Sequence, residues 1–389
     1  MDFRPDAQAL RERLVAWRRD FHVHPELGFQ EHRTAGVIAG VLRELGYQVQ
    51  TGVAHTGVIG LLKGRHPGPV VMLRCDMDAL PIAEENAAAY ASQNPGVMHA
   101  CGHDAHVAIG LGVATLMAQR RDEMAGTLKL VFQPGEEGMD GARVMIEQGA
   151  LENPRPDVFL AAHVWSDMPV GTVSVSSGAV MAAAHKWTCT VRGQGGHGAL
   201  PHQTVDPIVA TAHVVTALQT IVSRNVSPLE TAVVTVGTLH GGDAFNVIPA
   251  RVDLSGTIRT YDAQVGEMVV RRVREVVEGV AVACGATAEL DVIPLTPAVI
   301  NDAGVTEVVR AAAEAVLGPE NVSSGIRTMG SEDAAFFLQA MPGCYFFVGA
   351  GNPERGLDAP HHNPRFDVDE DVLPIGVAVL THALAHYLL

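Results

Sequence analysis

The sequence is short of cysteine, of basic residues and of long apolar runs, and each shortage excludes a class of protein. Its five cysteines are scattered and odd in number, which argues against a disulfide framework and favours a reducing, cytoplasmic compartment. Lys and Arg number 27 against 43 Asp and Glu, so a nucleic-acid partner is not expected. No apolar run approaches the length of a membrane span and no secretory signal is visible, so no membrane partner is expected either.

The chain is rich in apolar residues, and their pattern predicts alternating strands and helices. Hydrophobic residues make up 47% of its 389 residues, which is consistent with a large core and roughly two to three domains. Strand-like and helix-like segments alternate over residues 1–183 and again over 295–389. Between them, residues 184–294 follow the order β-α-β-β-α-β, which is that of the split βαβ unit. We therefore predict an α/β domain interrupted by a smaller inserted domain.

Metal-binding side chains lie on four segments that are far apart in the chain. Three of these segments are strand-like runs followed by Glu or His, and the fourth carries Cys101 and His103 between a turn and a helix-like stretch. Because ligands gather at the carboxyl ends of parallel strands, these side chains are expected to share one site. Cys, His and Glu are the ligands that zinc and similar ions use. Five ligands exceed what one tetrahedral ion with an open position needs, so we predict two divalent ions, with Cys101 as a candidate shared ligand. The predicted ligands are Cys101, His103, Glu137, His163 and His362.

Acidic residues beside these ligands predict the rest of the chemistry. Glu136 adjoins Glu137, and neighbouring side chains in an extended or turn segment diverge, so Glu136 is predicted to act as general base. In that role it takes a proton from the attacking water and passes it to the departing amine. Asp76 and Asp78 are predicted to orient a ligating imidazole or else to contact metal directly. Asp104 is predicted to cap the helix that follows.

Each of these residues also has an ordinary structural explanation. Taken alone, His163 would be a core histidine and the adjacent glutamates a solvated turn. Short motifs such as Cys101-Gly102-His103 predict metal only loosely. The metal site is favoured because all of these explanations would have to coincide at the ends of unrelated strands.

The inserted segment carries two further candidate contacts. Its glycine-rich stretch 193–198 lacks the context of a phosphate-binding loop, so the glycines are interpreted as letting the backbone approach a ligand while His197 points into a cleft. A glycine-rich turn with an exposed histidine is the alternative. Asn246 is suited to an amide or carboxylate oxygen, and Arg259 to a substrate carboxylate. A turn-forming Asn and a surface Arg are the alternatives there.

The motifs together resemble the M20 family of metallopeptidases and amidohydrolases. The likeness is to the branch of hippurate hydrolases, N-acyl-amino-acid amidohydrolases and plant auxin-conjugate hydrolases, and it spans nearly the whole chain. The matching segments are 17–27, 76–81, 98–106, 135–137, 162–165, 195–199, 246–249, 329–333 and 362–364.

The resemblance implies a zinc-peptidase-like catalytic domain with a ferredoxin-like lid, which in many relatives also forms a homodimer or higher homo-oligomer. It implies the metal ligands and the base already named. It further implies that His197 reaches the active site of the partner subunit and stabilises the oxyanion, and that Asn246 and Arg259 bind the substrate carboxylate. His361 stands where the family commonly has Leu, which raises the question of whether it too binds metal.

The predicted reaction is hydrolysis of the amide bond of a small N-acyl or N-aroyl amino acid. Zinc, manganese, nickel and cobalt are the candidate metals. A metallo-dipeptidase or carboxypeptidase is the alternative enzyme, and a non-catalytic metal-binding scaffold is an alternative from another class.

Overall fold

The computed structural model describes residues 2–389. Its α-helices are α1 (Arg4–Ala9), α2 (Arg11–Val23), α3 (His32–Glu44), α4 (His103–Gln119), α5 (Gly141–Glu147), α6 (Pro207–Arg224), α7 (Ala263–Ala283), α8 (Ala303–Leu317), α9 (Ala335–Ala340) and α10 (Val372–Leu388). Its strands are β1 (Gln48–Val53), β2 (Gly57–Lys63), β3 (His66–Asp76), β4 (Ala125–Gln133), β5 (Val158–Pro169), β6 (Val173–Ser174), β7 (Gly178–Met181), β8 (Ala183–Arg192), β9 (Gly196–His197), β10 (Ala232–His240), β11 (Val247–Ile248), β12 (Arg251–Thr260), β13 (Thr287–Thr296), β14 (Val299–Asn301), β15 (Val322–Ser323) and β16 (Gly343–Gly351). Among the described residues, none of the helices combines the length and the apolar character that crossing a membrane requires.

The chain forms two compact units. The first contains the residues up to Gly178 together with Ile300–Ile326 and Asp333–Leu389, and the second contains Ala179–Val299. The short segment Arg327–Glu332, which lies outside the predicted inserted domain, also belongs to the second unit.

The first unit is built on an eight-stranded sheet with the order β1-β2-β4-β3-β5-β16-β6-β15. Its four central strands, β4, β3, β5 and β16, run parallel. Every residue of β16 is buried, as expected for a strand covered on both faces. The register pairs Asp76 with Gln133 and Phe347 with His163. The strand segments that lead to the predicted ligands therefore lie side by side.

Two apolar helices cover this sheet. All residues of α4 from His103 to Met117 are buried, because the helix is apolar on every side and packs against β3, α2 and α10. Gly110 makes the close approach to the sheet, since a Cβ there would lie 2.6 Å from Cys75 Sγ. The middle of α4 is thereby held against the end of β3.

The second unit is an antiparallel four-stranded sheet, β10-β12-β8-β13, packed against α6 and α7. Numbered along the inserted segment, its strands lie in the order 2-3-1-4, as in a split βαβ unit. Trp187 on β8 is fully buried in its core. Asp206 and Asp262 cap α6 and α7 by accepting backbone N–H bonds. The predicted fold class, an α/β domain with a ferredoxin-like insertion, is confirmed.

Candidate metal centre

A left-handed glycine shapes the segment that carries Cys101 and His103. Gly102 has φ +84° and precedes the first residue of α4. That conformation suits glycine, and a Cβ there would lie 2.4 Å from Val164 Cγ2. The turn brings Cys101 and His103 together with His163 of β5, so that one ligand atom from each lies within 4.8 Å of the others. Cys101 Sγ is 3.5 Å from His163 Nε2.

A second group of ligand atoms overlaps the first. Cys101, Glu137 and His362 also bring their ligand atoms within 4.8 Å of one another. Glu137 Oε1 is 3.4 Å from His362 Nε2 and 4.0 Å from His103 Nε2. All five predicted ligands thus lie in two adjoining groups. Cys101 belongs to both, which is the geometry that a ligand shared between two ions requires.

Two buried ligand atoms show that the cluster fits metal ions. His103 Nε2 and Glu137 Oε1 make no hydrogen bond within residues 2–389. Buried polar atoms are nearly always paired, and leaving one unpaired costs about 1–3 kcal/mol. Both atoms are of the type that divalent zinc, manganese, cobalt or nickel binds. The donor set and its unpaired atoms therefore suit divalent cations.

Asp78 holds two of these ligands in place. His103 Nδ1 lies 2.9 Å from the Asp78 carbonyl oxygen and 3.2 Å from Asp78 Oδ1, where it donates. The other carboxylate oxygen of Asp78 accepts the Glu137 N–H at 2.9 Å. Because Nδ1 of His103 is occupied by this bond, Nε2 is the ring nitrogen that remains for an ion.

Asp76 orients a second imidazole, that of His106, for which the sequence predicted no role. Asp76 Oδ1 accepts from His106 Nδ1 at 2.5 Å, and Oδ2 accepts from Arg74 at 2.6 Å. His106 Nε2 accepts the Val164 N–H at 2.9 Å, which fixes its tautomer. Asp76 Oδ2 is also 3.8 Å from His103 Nε2. The spacing of three residues between His103 and His106 on one helix was the available signal.

Charges in the cluster shift its pKa values in opposite directions. Burial alone would lower the pKa of His103, but the Asp76 carboxylate raises it well above the usual value. Burial, with the neighbouring His106, lowers the pKa of His163. The neighbouring Cys101 side chain and Glu137 carboxylate raise the pKa of His362 to about 10. Because an imidazole must be deprotonated to bind metal, a proton and a cation would compete for the nitrogens of His103 and His362.

A buried ion network anchors the start of α4. Arg18 Nε donates to Asp104 Oδ2 at 2.7 Å, and Arg18 Nη2 donates to Asp367 Oδ1 at 2.6 Å. His22 Nδ1 donates to the same Asp104 oxygen at 2.8 Å. The prediction that Asp104 caps the helix was wrong, because Gly102 occupies the cap position and no side chain caps it. The Asp104 carboxylate is instead hydrogen-bonded to Arg18 and His22 of α2.

We expect Arg18→Met to lower the free energy of unfolding by about 3–5 kcal/mol, because it leaves the Asp104 carboxylate buried without its cation. Urea unfolding followed by circular dichroism measures the change. The matched control is Arg11→Met, which breaks the exposed pair between Arg11 and Asp371 at 2.7 Å and should cost less than about 1 kcal/mol. Equal losses in the two variants would contradict the role of the buried network.

His361 is held away from the ligand groups. Its Nε2 donates to the Val164 carbonyl oxygen at 3.0 Å, and its Nδ1 is 3.4 Å from Ser166 Oγ. The ring packs against Trp165 and Phe366, with centroid distances of 4.6 and 4.9 Å. Both ring nitrogens are engaged by neighbouring groups, so His361 has no nitrogen to offer an ion in this arrangement.

The remaining predicted contacts belong to the second unit. His197 on β9 pairs with Val247 on β11, and the Gly198 N–H donates to the Asn246 carbonyl oxygen at 2.8 Å. His197 and Asn246 are therefore neighbours on adjoining segments. Arg259 lies on β12 and donates to Ser331 Oγ at 2.6 Å.

Comparison with known proteins identifies the family of this chain. The model of peptidase family M20/M25/M40 matches residues 72–386. An N-acetylcysteine deacetylase of Bacillus subtilis is 38% identical, over 95% of this chain and 95% of its own length. Thermostable carboxypeptidase 2 of Saccharolobus solfataricus is 38% identical, over 97% and 96%. The crystal structure of a dinuclear metal binding peptidase of the M20 family from Bacillus subtilis superposes with a TM-score of 0.84 at 33% identity, covering 97% of this chain and 98% of that one. This chain thus belongs to peptidase family M20/M25/M40 and is a metal-dependent hydrolase of amide bonds.

Proposed function

We propose that the enzyme hydrolyses the amide bond of N-acyl or N-aroyl amino acids and releases a carboxylic acid and a free amino acid. The observation that carries this proposal is the pair of overlapping ligand groups, joined by Cys101, with the Glu136 carboxylate beside them. The similarity to an N-acetylcysteine deacetylase supports the acyl-amino-acid class.

In this proposal Cys101, His103, Glu137, His163 and His362 hold two divalent ions. When bound, such ions polarise a carbonyl oxygen and lower the pKa of a coordinated water. The chain's own part is to orient the ligands. Asp78 does this for His103 and Glu137 through the bonds described above.

Glu136 is the proposed general base. Its carboxylate is half-buried, and one of its oxygens lies within 4.8 Å of the ligand atoms of His103 and Glu137. From that position it takes a proton from the attacking water and delivers it to the nitrogen of the departing amine. In this proposal Glu137 holds metal and Glu136 transfers the proton. The conformation of the turn that contains both residues therefore determines where the base lies relative to the ions.

Residues of the second unit are proposed to recognise the substrate. The planar guanidinium of Arg259 suits a carboxylate, and the side-chain amide of Asn246 suits an oxygen acceptor. His197 is proposed to stabilise the oxyanion across a homodimer formed through the second unit. Phe245 and Val247, on either side of Asn246, are exposed apolar residues, which supports an interface there.

A substrate panel tests the proposed class. We expect kcat/KM for the best N-acetyl, N-benzoyl or indole-acetyl amino acid to exceed that for the best dipeptide by at least about tenfold. The reason is that a dipeptide carries a charged ammonium group into the position of an apolar acyl group, and an unpaired charge is costly to desolvate.

The same panel separates the alternatives. Matched substrates whose free carboxylate is converted to an amide serve as controls for carboxylate recognition. Preference for dipeptides would favour the peptidase alternative, which the similarity to thermostable carboxypeptidase 2 keeps open. Metal binding without hydrolysis of any panel member would favour the scaffold alternative.

A further inference from the structure

The turn that carries Glu136 and Glu137 begins at a glycine whose N–H is held by a distant side chain. Gly135 is buried and has φ +63°. Its N–H donates to Glu31 Oε1 at 3.0 Å. The turn then continues with the Glu137 N–H bonded to Asp78 and the Gly141 N–H bonded to the Gly135 carbonyl oxygen at 3.0 Å.

Glu31 is a buried carboxylate that the proposed chemistry does not use. Its exposed fraction is 0%, and its second oxygen accepts from Thr56 Oγ1 at 2.5 Å. Burial raises the pKa of Glu31 to about 7. Burying a carboxylate is unfavourable unless its oxygens are hydrogen-bonded. Here both oxygens of Glu31 accept hydrogen bonds, one of them from the Gly135 N–H in the turn.

The segment before Glu31 also packs directly on this turn. A Cβ on Gly28 would lie 2.8 Å from Met139 Sδ and 3.0 Å from Gly135 Cα. Phe29 has φ +62°, a conformation that non-glycine residues rarely adopt. Ala54 and His55, just before Thr56, have φ of +49° and +71°. Such strained residues persist where the surroundings fix them, and they concentrate at functional sites.

We propose that Glu31 is a positioning residue, which holds the turn at Gly135 and thereby sets the placement of the Glu136 carboxylate. The inference rests on the proposed function, because it assumes that Glu136 is the base. Asp78 fixes the same turn one peptide beyond Glu136, so the base lies between two backbone amides that are each held by a buried acidic side chain.

The kinetic test compares Glu31→Ala with Glu31→Gln at saturating metal. We expect kcat of the Ala variant to fall about 10²-fold with KM changed less than about threefold, because a small displacement of a catalytic group costs rate rather than binding. The Gln variant should stay within about tenfold of wild type, since its amide oxygen still accepts the Gly135 N–H.

Glu26→Ala is the matched control. Glu26 lies in the same loop, and its carboxylate also accepts two backbone bonds, from the N–H groups of Arg33 and Thr34 at 2.9 and 2.8 Å. These bonds hold the start of α3 and not the turn. We therefore expect a lower melting temperature in this variant with kcat within about threefold of wild type.

Amide hydrogen exchange of the metal-free protein gives a readout that is independent of activity. Glu31→Ala should raise the exchange rate of a peptide covering residues 133–139 at least about tenfold, because the Gly135 N–H loses its acceptor. Glu26→Ala should instead raise exchange over residues 32–36.

The inference is overturned if Glu31→Ala keeps wild-type kcat and wild-type exchange at 133–139, or if Glu26→Ala reduces kcat as much. Should Glu31→Ala not fold, Thr56→Val serves as the second variant, since it removes only the hydroxyl that holds Glu31. It should lower kcat about fivefold, and unchanged kcat there also overturns the inference. Failure of the proposed function is a separate result, seen as full turnover after replacement of Glu136.

Discussion

Replacing Glu136 with Gln is expected to lower kcat by about 10³-fold or more and to leave the metal content unchanged. The amide keeps the size of the side chain but cannot accept the proton, and positioned general bases contribute about 10²–10⁴-fold to rate. Stopped assays of amine release, together with elemental analysis of the purified variant, measure both quantities.

Glu147→Gln is the matched control for this experiment. Glu147 lies at the end of α5 and pairs with Arg143 at 2.8 Å, with 58% of its side chain exposed. Its replacement should leave kcat unchanged. A Glu136→Gln enzyme that is both metal-loaded and active would remove this residue from the mechanism.

Removing the metal is expected to reduce activity to below about 1%, since the ligand cluster has no other source of a Lewis acid. Dialysis against a chelator, followed by addition of zinc, manganese, cobalt or nickel one at a time, measures the loss and identifies the metal that restores most activity. The proposal of two sites predicts two ions per chain in the restored enzyme.

Substitution of a single ligand sharpens this result. His103→Ala should bind fewer ions than the wild type and have less than about 1% of its activity, because the unpaired His103 Nε2 is one of the proposed ligand atoms. His386→Ala, an exposed histidine on α10, is the control and should bind the wild-type number of ions. Full metal content in the His103 variant would contradict its assignment as a ligand.

The sequence predicted the types of group at the centre better than the bonds among them. Strand-like runs leading to Cys, His and Glu were visible because strands and their ends have local patterns, and parallel strands place their ends at one edge. The structure brings the ligand atom of Cys101 within 4.8 Å of those of both His163 and His362, which are far from it in the sequence.

The supporting contacts had no such local pattern. The assignment of Asp104 as a helix cap followed a sound local preference, yet Arg18, 86 residues away, pairs with its carboxylate instead. The sequence predicted no role for His106, although it lies on the same helix as His103. Its partner Asp76 is 30 residues away in the chain, at the end of a strand. Residue spacing alone does not show that this strand and the helix of His106 pack together.

By itself, then, the sequence determined the fold class, the β-α-β-β-α-β order of the insertion and the residue types of the candidate ligands, because periodicity and residue type are properties of short segments. Only the tertiary structure decided which buried groups meet, such as Glu31 with the Gly135 amide across 104 residues. The physical reason is that a buried polar group needs a hydrogen-bond partner. The chain topology alone decides which distant group comes close enough to be that partner.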